Sequence, residues 1–487
     1  MLPTLKTAVL CFGAGSLLGL TPLSASSPQE STQTLSKTAE GKPIVWTYSW
    51  KSAPNDAVPV ASVCPLKYGK KWAYSVEIDD GPVSTLTVSQ PLLEKFTYTD
   101  APPGVSGGKI RPFVGGAAVF PLRLDTGNDT FLTWQQLHTL KKAGWGVLNH
   151  SYWHSGNSWD PKSGLKAPQF RDELFWSQAI LAAEAGDGRS PTHFVYPNGY
   201  REYTPYLKEY GFHSASRVAG KFPHLANPAT DFLDIDRNYL DESVWSKPGD
   251  PMAGIPPSPG AGDFVIDFTH GMEADPASAN HKRWLTRLGT IAARSGSAGD
   301  DTLWCAPTSE VVDYSLAARA ATLRTDRGRV TLSVPTDLSG TALTLHLVGI
   351  SPQTVLTSPP GGILYRQGEQ VWITTPPLGA PGTAPPKPGI VKVYEGSIQD
   401  FTPARPIRLA GVRVLQRGEP KSGFALKIDL TAPDGKTSSL FNASPGTNWG
   451  SWLLYPIVPN RPALLTKGVH INTDPSLSKM EVWVLAE

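Results

Sequence analysis

Residues 145–154 read WGVLNHSYWH, a short apolar run through Val147 and Leu148 that delivers two histidines four positions apart, His150 and His154. On a helix such a pair lies on one face, and both imidazoles can reach a single ion. Packed or surface histidines fall at the same spacing by chance, so the pair decides little alone. Upstream, residues 71–82 read KWAYSVEIDDGP, where Trp72, Tyr74, Val76 and Ile78 alternate as a strand ending on Asp79 and Asp80. Adjacent carboxylates followed by Gly81 and Pro82 are poorly explained by packing; the competing use is a turn in which both cap backbone amides.

Zinc and similar divalent ions take imidazole nitrogen and carboxylate oxygen, and a catalytic ion keeps one position open for water. Asp80, His150 and His154 supply such a set, with Asp79 beside them placed to take the proton of the activated water. The expected cofactor is a divalent cation, zinc first, with cobalt, nickel and manganese also suited to these donors.

These two motifs resemble those of the NodB-homology polysaccharide deacetylases, the family-four carbohydrate esterases. Glu77, Ile78, Asp79, Asp80 and Gly81 stand where the family has a Thr-Phe-Asp-Asp-Gly-type motif, and His150 to His154 match its His-Ser/Thr-x-x-His motif. The resemblance implies a distorted (β/α) barrel, with Asp79 as base and Asp80, His150 and His154 as metal ligands. Further on, residues 194–199, FVYPNG, are similar to the third motif, but Val195 occupies the position of the arginine that would steady the base. Arg237, in LDIDRNYL, is a replacement candidate, with a solvated surface arginine as the competing reading. The backbone amide of Asn198 would, by the same resemblance, stabilise the oxyanion. His270, just past the apolar strand Phe264 to Phe268, takes the place of the family's proton-donating histidine. Asp267 would face the opposite side of that strand.

The chain has 487 residues, 40% of them hydrophobic, and a net charge of +2, enough for several domains and without the strongly basic surface a nucleic-acid partner would need. Lys6, an apolar stretch from Thr7 to Leu20, and small or polar residues around Ser24 to Ser26 lay out a cleavable export signal over residues 1–26, predicting a secreted or periplasmic protein without a transmembrane segment. Cys64 and Cys305 then remain, either as a disulfide or as two buried thiols.

Residues 27–70 read as a lead-in with edge strands and residues 71–320 as the deacetylase-like domain. Within the latter, residues 109–120 read as one parallel strand, LLEKFTY as a short helix, Thr133 as the N-cap of a helix ended by Gly144, and residues 168–186 as the clearest amphipathic helix. The seven remaining histidines, including His138, His193, His213 and His224, show no comparable pairing. All-β C-terminal domains follow: a small β-domain over 321–375, a Pro/Gly linker over 376–389 and a β-sandwich over 390–487. There Trp449, Trp452 and Tyr455 are spaced either to stack sugar rings, as a carbohydrate-binding module would, or to fill a core.

The leading expectation is an exported, metal-dependent deacetylase acting on an acetylated polysaccharide, at N-acetyl groups or, on the same machinery, at O-acetyl groups of a xylan-type glycan. The alternative is a catalytically inactive carbohydrate-binding protein.

Overall fold

The computed structural model describes residues 32–36, 43–54, 56–154, 167–185, 187–218, 220, 223–240, 254–338, 340–379, 382–396, 400–416, 426–443, 450–472 and 478–486. Residues 1–26, read from the sequence as an export signal, and Trp449 lie outside them.

Nine strands form one parallel sheet: β1 (Trp72–Ile78), β2 (Gly116–Val119), β3 (Gly146–Asn149), β4 (His193–Val195), β5 (Ser214–Arg217), β6 (Ile235–Asp236), β7 (Asn238–Tyr239), β8 (Phe264–Thr269) and β9 (Leu303–Cys305). The spatial order is β6-β5-β4-β3-β2-β1-β8-β7, and β9 pairs with the first residues of β1. The two outermost strands, β6 and β7, are consecutive in the chain with Arg237 alone between them. One half of that segment pairs with β5 and the other with β8, so the sheet rolls into a barrel that its own backbone closes at Arg237.

Because the strands are parallel, their carboxyl ends gather at one mouth of the barrel, where this architecture places its chemistry. Several of the crossovers carry helices. Helix α1 (Trp134–Lys142) begins with a capping box, Thr133 Oγ accepting from Gln136 N while the Gln136 side chain accepts from Thr133 N, and Gly144 at φ 90° turns the chain back into β3. Helices α2 (Ala167–Glu184), α3 (Ala279–Ser295) and α4 (Thr308–Ala320) follow. Among the described residues no helix is long and apolar enough to cross a membrane.

Several sequence expectations change. Residues 109–120 form two strands: Ile110–Pro112 makes a small antiparallel hairpin with Thr97–Thr99, and only Gly116–Val119 joins the barrel. The helix expected at LLEKFTY ends at Leu93, and Thr97 to Thr99 are extended. Strands of the lead-in pair with strands beyond Arg319: Ile44–Ser49 with Arg329–Val334, and Val60–Val63 with Thr344–Val348. These two stretches, read from the sequence as separate units, share sheets, and Trp46, Leu332 and Val371 belong to one apolar core with Tyr74 and Val76 of the barrel. Cys64 and Cys305 are free and buried, and burial pushes both thiols up to about 12, so neither is a reactive thiolate.

The last hundred residues form two antiparallel sheets facing each other across a core that includes Val412, Val414, Ile428, Ile471 and Val482. The sheet holding β10 (Ile407–Gln416) and β11 (Ser478–Leu485) turns its other face to the barrel. Alternation along β11 sends Met480, Val482 and Val484 into the sandwich and Glu481 and Trp483 toward α2, where Trp176 meets Trp483 edge-on, 6.2 Å between ring centroids. Trp452 is buried there at 1% exposure, so it cannot be a sugar platform, and Tyr455 packs on Phe441.

Candidate active site at the barrel mouth

The histidine pair does not lie on a helix. His150 follows the last residue of β3, and residues 150–154 form an irregular loop in which Ser151 (φ 64°) and His154 (φ 52°) take the left-handed conformation. Asp80 (φ 68°) does the same two residues beyond the end of β1. Three non-glycine residues in this region at one site mark a backbone forced by its surroundings, at a cost of roughly 1–3 kcal/mol each. Gly81 is required: its φ is 62°, and a Cβ there would meet Val119 Cγ1 at 2.9 Å.

Polar contacts hold the loop. Asn149 Oδ1 accepts from Ser151 N (2.8 Å), Ser151 Oγ accepts from His154 N (2.9 Å), and the Asn149 amide donates to Ser177 and Gln178 of α2. His150 Nδ1 donates to the carbonyl of Val195 at 2.7 Å, which leaves Nε2 as the nitrogen with the lone pair. The Val195 side chain packs between Ala118 and Leu148, so at this position the barrel holds an apolar contact in place of an arginine.

Asp80 Oδ1 lies 3.2 Å from His154 Nε2 and 3.5 Å from His150 Nε2. Though buried, this oxygen has no hydrogen bond of acceptable angle, and His154 Nδ1 is likewise buried without one. Donor atoms of all three residues lie within 4.8 Å of one another, the sole grouping of this kind among the described residues. Spacings of 3.2 to 3.5 Å match the edge of a tetrahedron of donors about 2.1 Å from a central ion. The donor set therefore fits a divalent cation. Burial lowers the pKa of His154 to about 4, with the neighbouring His150 adding to it against the pull of Asp80, so the imidazole is neutral and ready to ligate at neutral pH. Burial works to raise Asp80, but His150, His154 and His270 outweigh it and hold the carboxyl well below the usual range.

Asp79 is bound end-on by Arg237, Nη1 to Oδ1 and Nη2 to Oδ2, both at 2.7 Å. The guanidinium is 5% exposed and lies 3.8 Å over the Phe268 ring, so the solvated reading of Arg237 is excluded. Its Nη1 also reaches Glu77 at 3.1 Å. Sequence reasoning gave Glu77 no role, and left His193 as an ordinary polar residue. Both are fully buried, and inside the barrel Glu77 takes hydrogen bonds from Ser216 (2.8 Å) and Thr308 (2.6 Å), with His193 Nε2 at 3.2 Å. Burial would raise Glu77; His193, Arg237 and Thr308 together bring it down to about 2. One signal was present in the sequence: Glu77 and Asp79, two apart on a strand, share a face, and two carboxylates facing a barrel interior require a buried cation.

His270 stands exposed at the end of β8, with the Tyr239 hydroxyl 3.3 Å from its Nδ1 and the Tyr239 and Phe268 rings beside it. Asp267 points away from the mouth, as its position in the strand requires, and pairs with Arg287 of α3 and the Tyr74 hydroxyl. Asn198, at φ 50°, occupies the one-turn helix Pro197–Gly199 directly after β4. The five polar side chains Asp79, Asp80, His150, His154 and His270 thus reach one mouth from three separated segments.

Residues 113–215 match the polysaccharide deacetylase family model. Over that stretch the chain is similar to the polysaccharide deacetylases. The deacetylase match spans the histidine loop and Asn198; Asp79, Asp80, Arg237 and His270 lie outside it and are brought to the site by the fold. No curated protein matches the chain. Among solved structures, the Streptococcus pyogenes deacetylase PplD in complex with acetate is 19% identical with a TM-score of 0.20, covering 27% of this chain and 50% of that one. The chain thus spans half the length of that solved protein, and a likeness this slight bears on neither fold nor chemistry.

Proposed function

We propose that the protein is an exported metal-dependent deacetylase that removes acetyl groups from a polysaccharide, N-acetyl groups first. The observation that carries this is the convergence of Asp80, His150 and His154 on one point beside an arginine-clamped Asp79. A bound divalent cation, zinc first, supplies Lewis acidity toward the acyl oxygen and toward water. Asp79, fixed by Arg237, accepts the proton of the attacking water. Negative charge gathers on the acyl oxygen as the carbonyl is attacked, and the backbone N–H of Asn198 donates to it. His270 returns a proton to the departing amine, or to the departing alcohol if the substrate is an ester. Tyr239 orients that imidazole through its hydroxyl. The layout of residues 1–26 supports the export part of this reading.

The test is acetate release from partially acetylated chitosan and from acetylated xylan, run together with metal analysis of the purified protein. Wild type should release acetate from chitosan faster than from xylan. Asp79→Asn should keep its metal and lose about 10²- to 10⁴-fold in rate. His150→Ala should lose the metal itself. Full activity in Asp79→Asn would reassign the base, faster release from xylan would make the enzyme an esterase, and no release from either polymer would leave a carbohydrate-binding protein.

A further inference from the structure

The histidine loop has one side chain that the reaction does not use and that points away from it. Tyr152, between His150 and His154, is fully buried and directed into the sheet of the C-terminal sandwich. Its hydroxyl donates to the Trp452 carbonyl at 2.8 Å and accepts from Arg413 Nε at 3.0 Å. Its backbone carbonyl accepts from Leu122 N, whose own carbonyl accepts from Trp452 N at 2.8 Å. Arg413, on β10, is itself completely buried: Nη1 donates to Glu481 at 2.7 Å, Nη2 to the Pro121 carbonyl at 2.9 Å, and the guanidinium lies 4.8 Å over the Trp452 ring. Glu481 is its directly opposite neighbour on β11, and also accepts from the Trp483 indole.

A buried arginine and glutamate on the outer face of a sandwich sheet are costly unless they are hydrogen-bonded, and here two loops of the barrel mouth supply the Nε and Nη2 partners of Arg413 while Glu481 takes Nη1. Pro121 follows Phe120, whose ring packs on His154 at 5.3 Å, so Arg413 touches the ligand loop at Tyr152 and the loop lining His154 at once. Left-handed Ser151 and His154 need such outside support, since their conformation is unfavourable locally.

We propose that the C-terminal β-sandwich is a structural part of the metal centre, and that Arg413, held by Glu481, is the positioning residue that fixes His150 and His154 through Tyr152. This rests on the metal-ligand reading of those histidines. The sandwich is then no detachable sugar-binding appendage: it acts on the chemistry by orienting the ligands through Tyr152.

The test uses the full chain and zinc and cobalt ions alone, with affinities from calorimetric titration, the visible spectrum of the cobalt form, and the unfolding midpoint of the metal-free protein. Tyr152→Phe removes a single oxygen, and Arg413→Lys keeps the charge without the fork. Both should bind zinc about 10- to 100-fold more weakly than wild type and alter the cobalt spectrum. Glu184→Gln, which breaks the ion pair to Lys392 elsewhere on the same interface, should leave affinity and spectrum unchanged. Wild-type affinity and spectrum in both Tyr152→Phe and Arg413→Lys would overturn the proposal while leaving the ligand set standing, provided His150→Ala loses the ion. Equal weakening in Glu184→Gln would also overturn it, by showing a general loosening. A wild-type protein that takes up neither ion would overturn the ligand set and this proposal together.

Discussion

Helices α2 and α3 are nearly the same length and both pack on the outside of the barrel, yet they are built differently. Along α3 the buried residues Trp284, Leu288, Ile291 and Ala292 recur at three and four positions, while Leu285 is 41% exposed on the other side. Along α2 every residue from 173 to 182 is buried, so Phe175 and Trp176, which point in different directions, are both at 0% exposure. Helix α2 lies between the barrel and the sandwich, whereas α3 keeps one side in solvent. Residues 168–186 were expected to be amphipathic; the sandwich covers the face that would have met water. A helix apolar all round reports a second layer of protein, and that second layer can carry polar work as well. Glu173, Ser177 and Gln178 on α2 are buried too, and the last two hold Asn149 at the foot of the histidine loop.

The comparison breaks most visibly at Trp176. Its indole N–H donates to the Val458 carbonyl and its ring meets Trp483, so Trp176→Ala should cost about 3–5 kcal/mol in urea unfolding. A loss no larger than a surface substitution would mean that the sandwich does not cover α2 in solution.

A smaller effect, and one that depends on pH, is expected at Asp172. Burial against the sandwich raises its carboxyl to about 7, overcoming Asn460 and Arg461, which act to lower it. The folded protein therefore keeps a proton there that the unfolded chain releases near pH 4, and stability falls as pH climbs from about 4 to about 7. Asp172→Asn should be more stable relative to wild type at pH 8 than at pH 5, read from unfolding midpoints. A constant difference across that range would place Asp172 in water.

The smallest effect belongs to the solvent side of α3. Leu285→Ala should change stability by no more than about 0.5 kcal/mol, and a loss comparable to that of Trp176→Ala would reveal a partner covering that face.

Much of the site was legible in advance. Asp79, Asp80, His150, His154 and His270 carry their signal in short motifs at the ends of apolar strands, because strand periodicity and parallel pairing put those ends at one mouth. The loop conformation of the histidine pair was not legible, since the spacing fits a helix equally well and only the backbone of Ser151 and His154 excludes it. His193 was missed because its partner, Glu77, is over a hundred residues away and meets it only inside the closed barrel.

The sequence alone determined the chemistry on offer: carboxylates beside a pair of imidazoles, delivered by apolar strands, in a chain whose last third alternates as β-structure. Which arginine clamps Asp79 was fixed by folding, because Arg237 gains that role where the barrel closes between β6 and β7. Folding also decided that the sandwich braces the histidine loop, because Arg413 and Tyr152 lie 261 positions apart. Local patterns follow from neighbouring residues along the chain; a buried charge takes its meaning from whatever distant segment folding brings within reach of it.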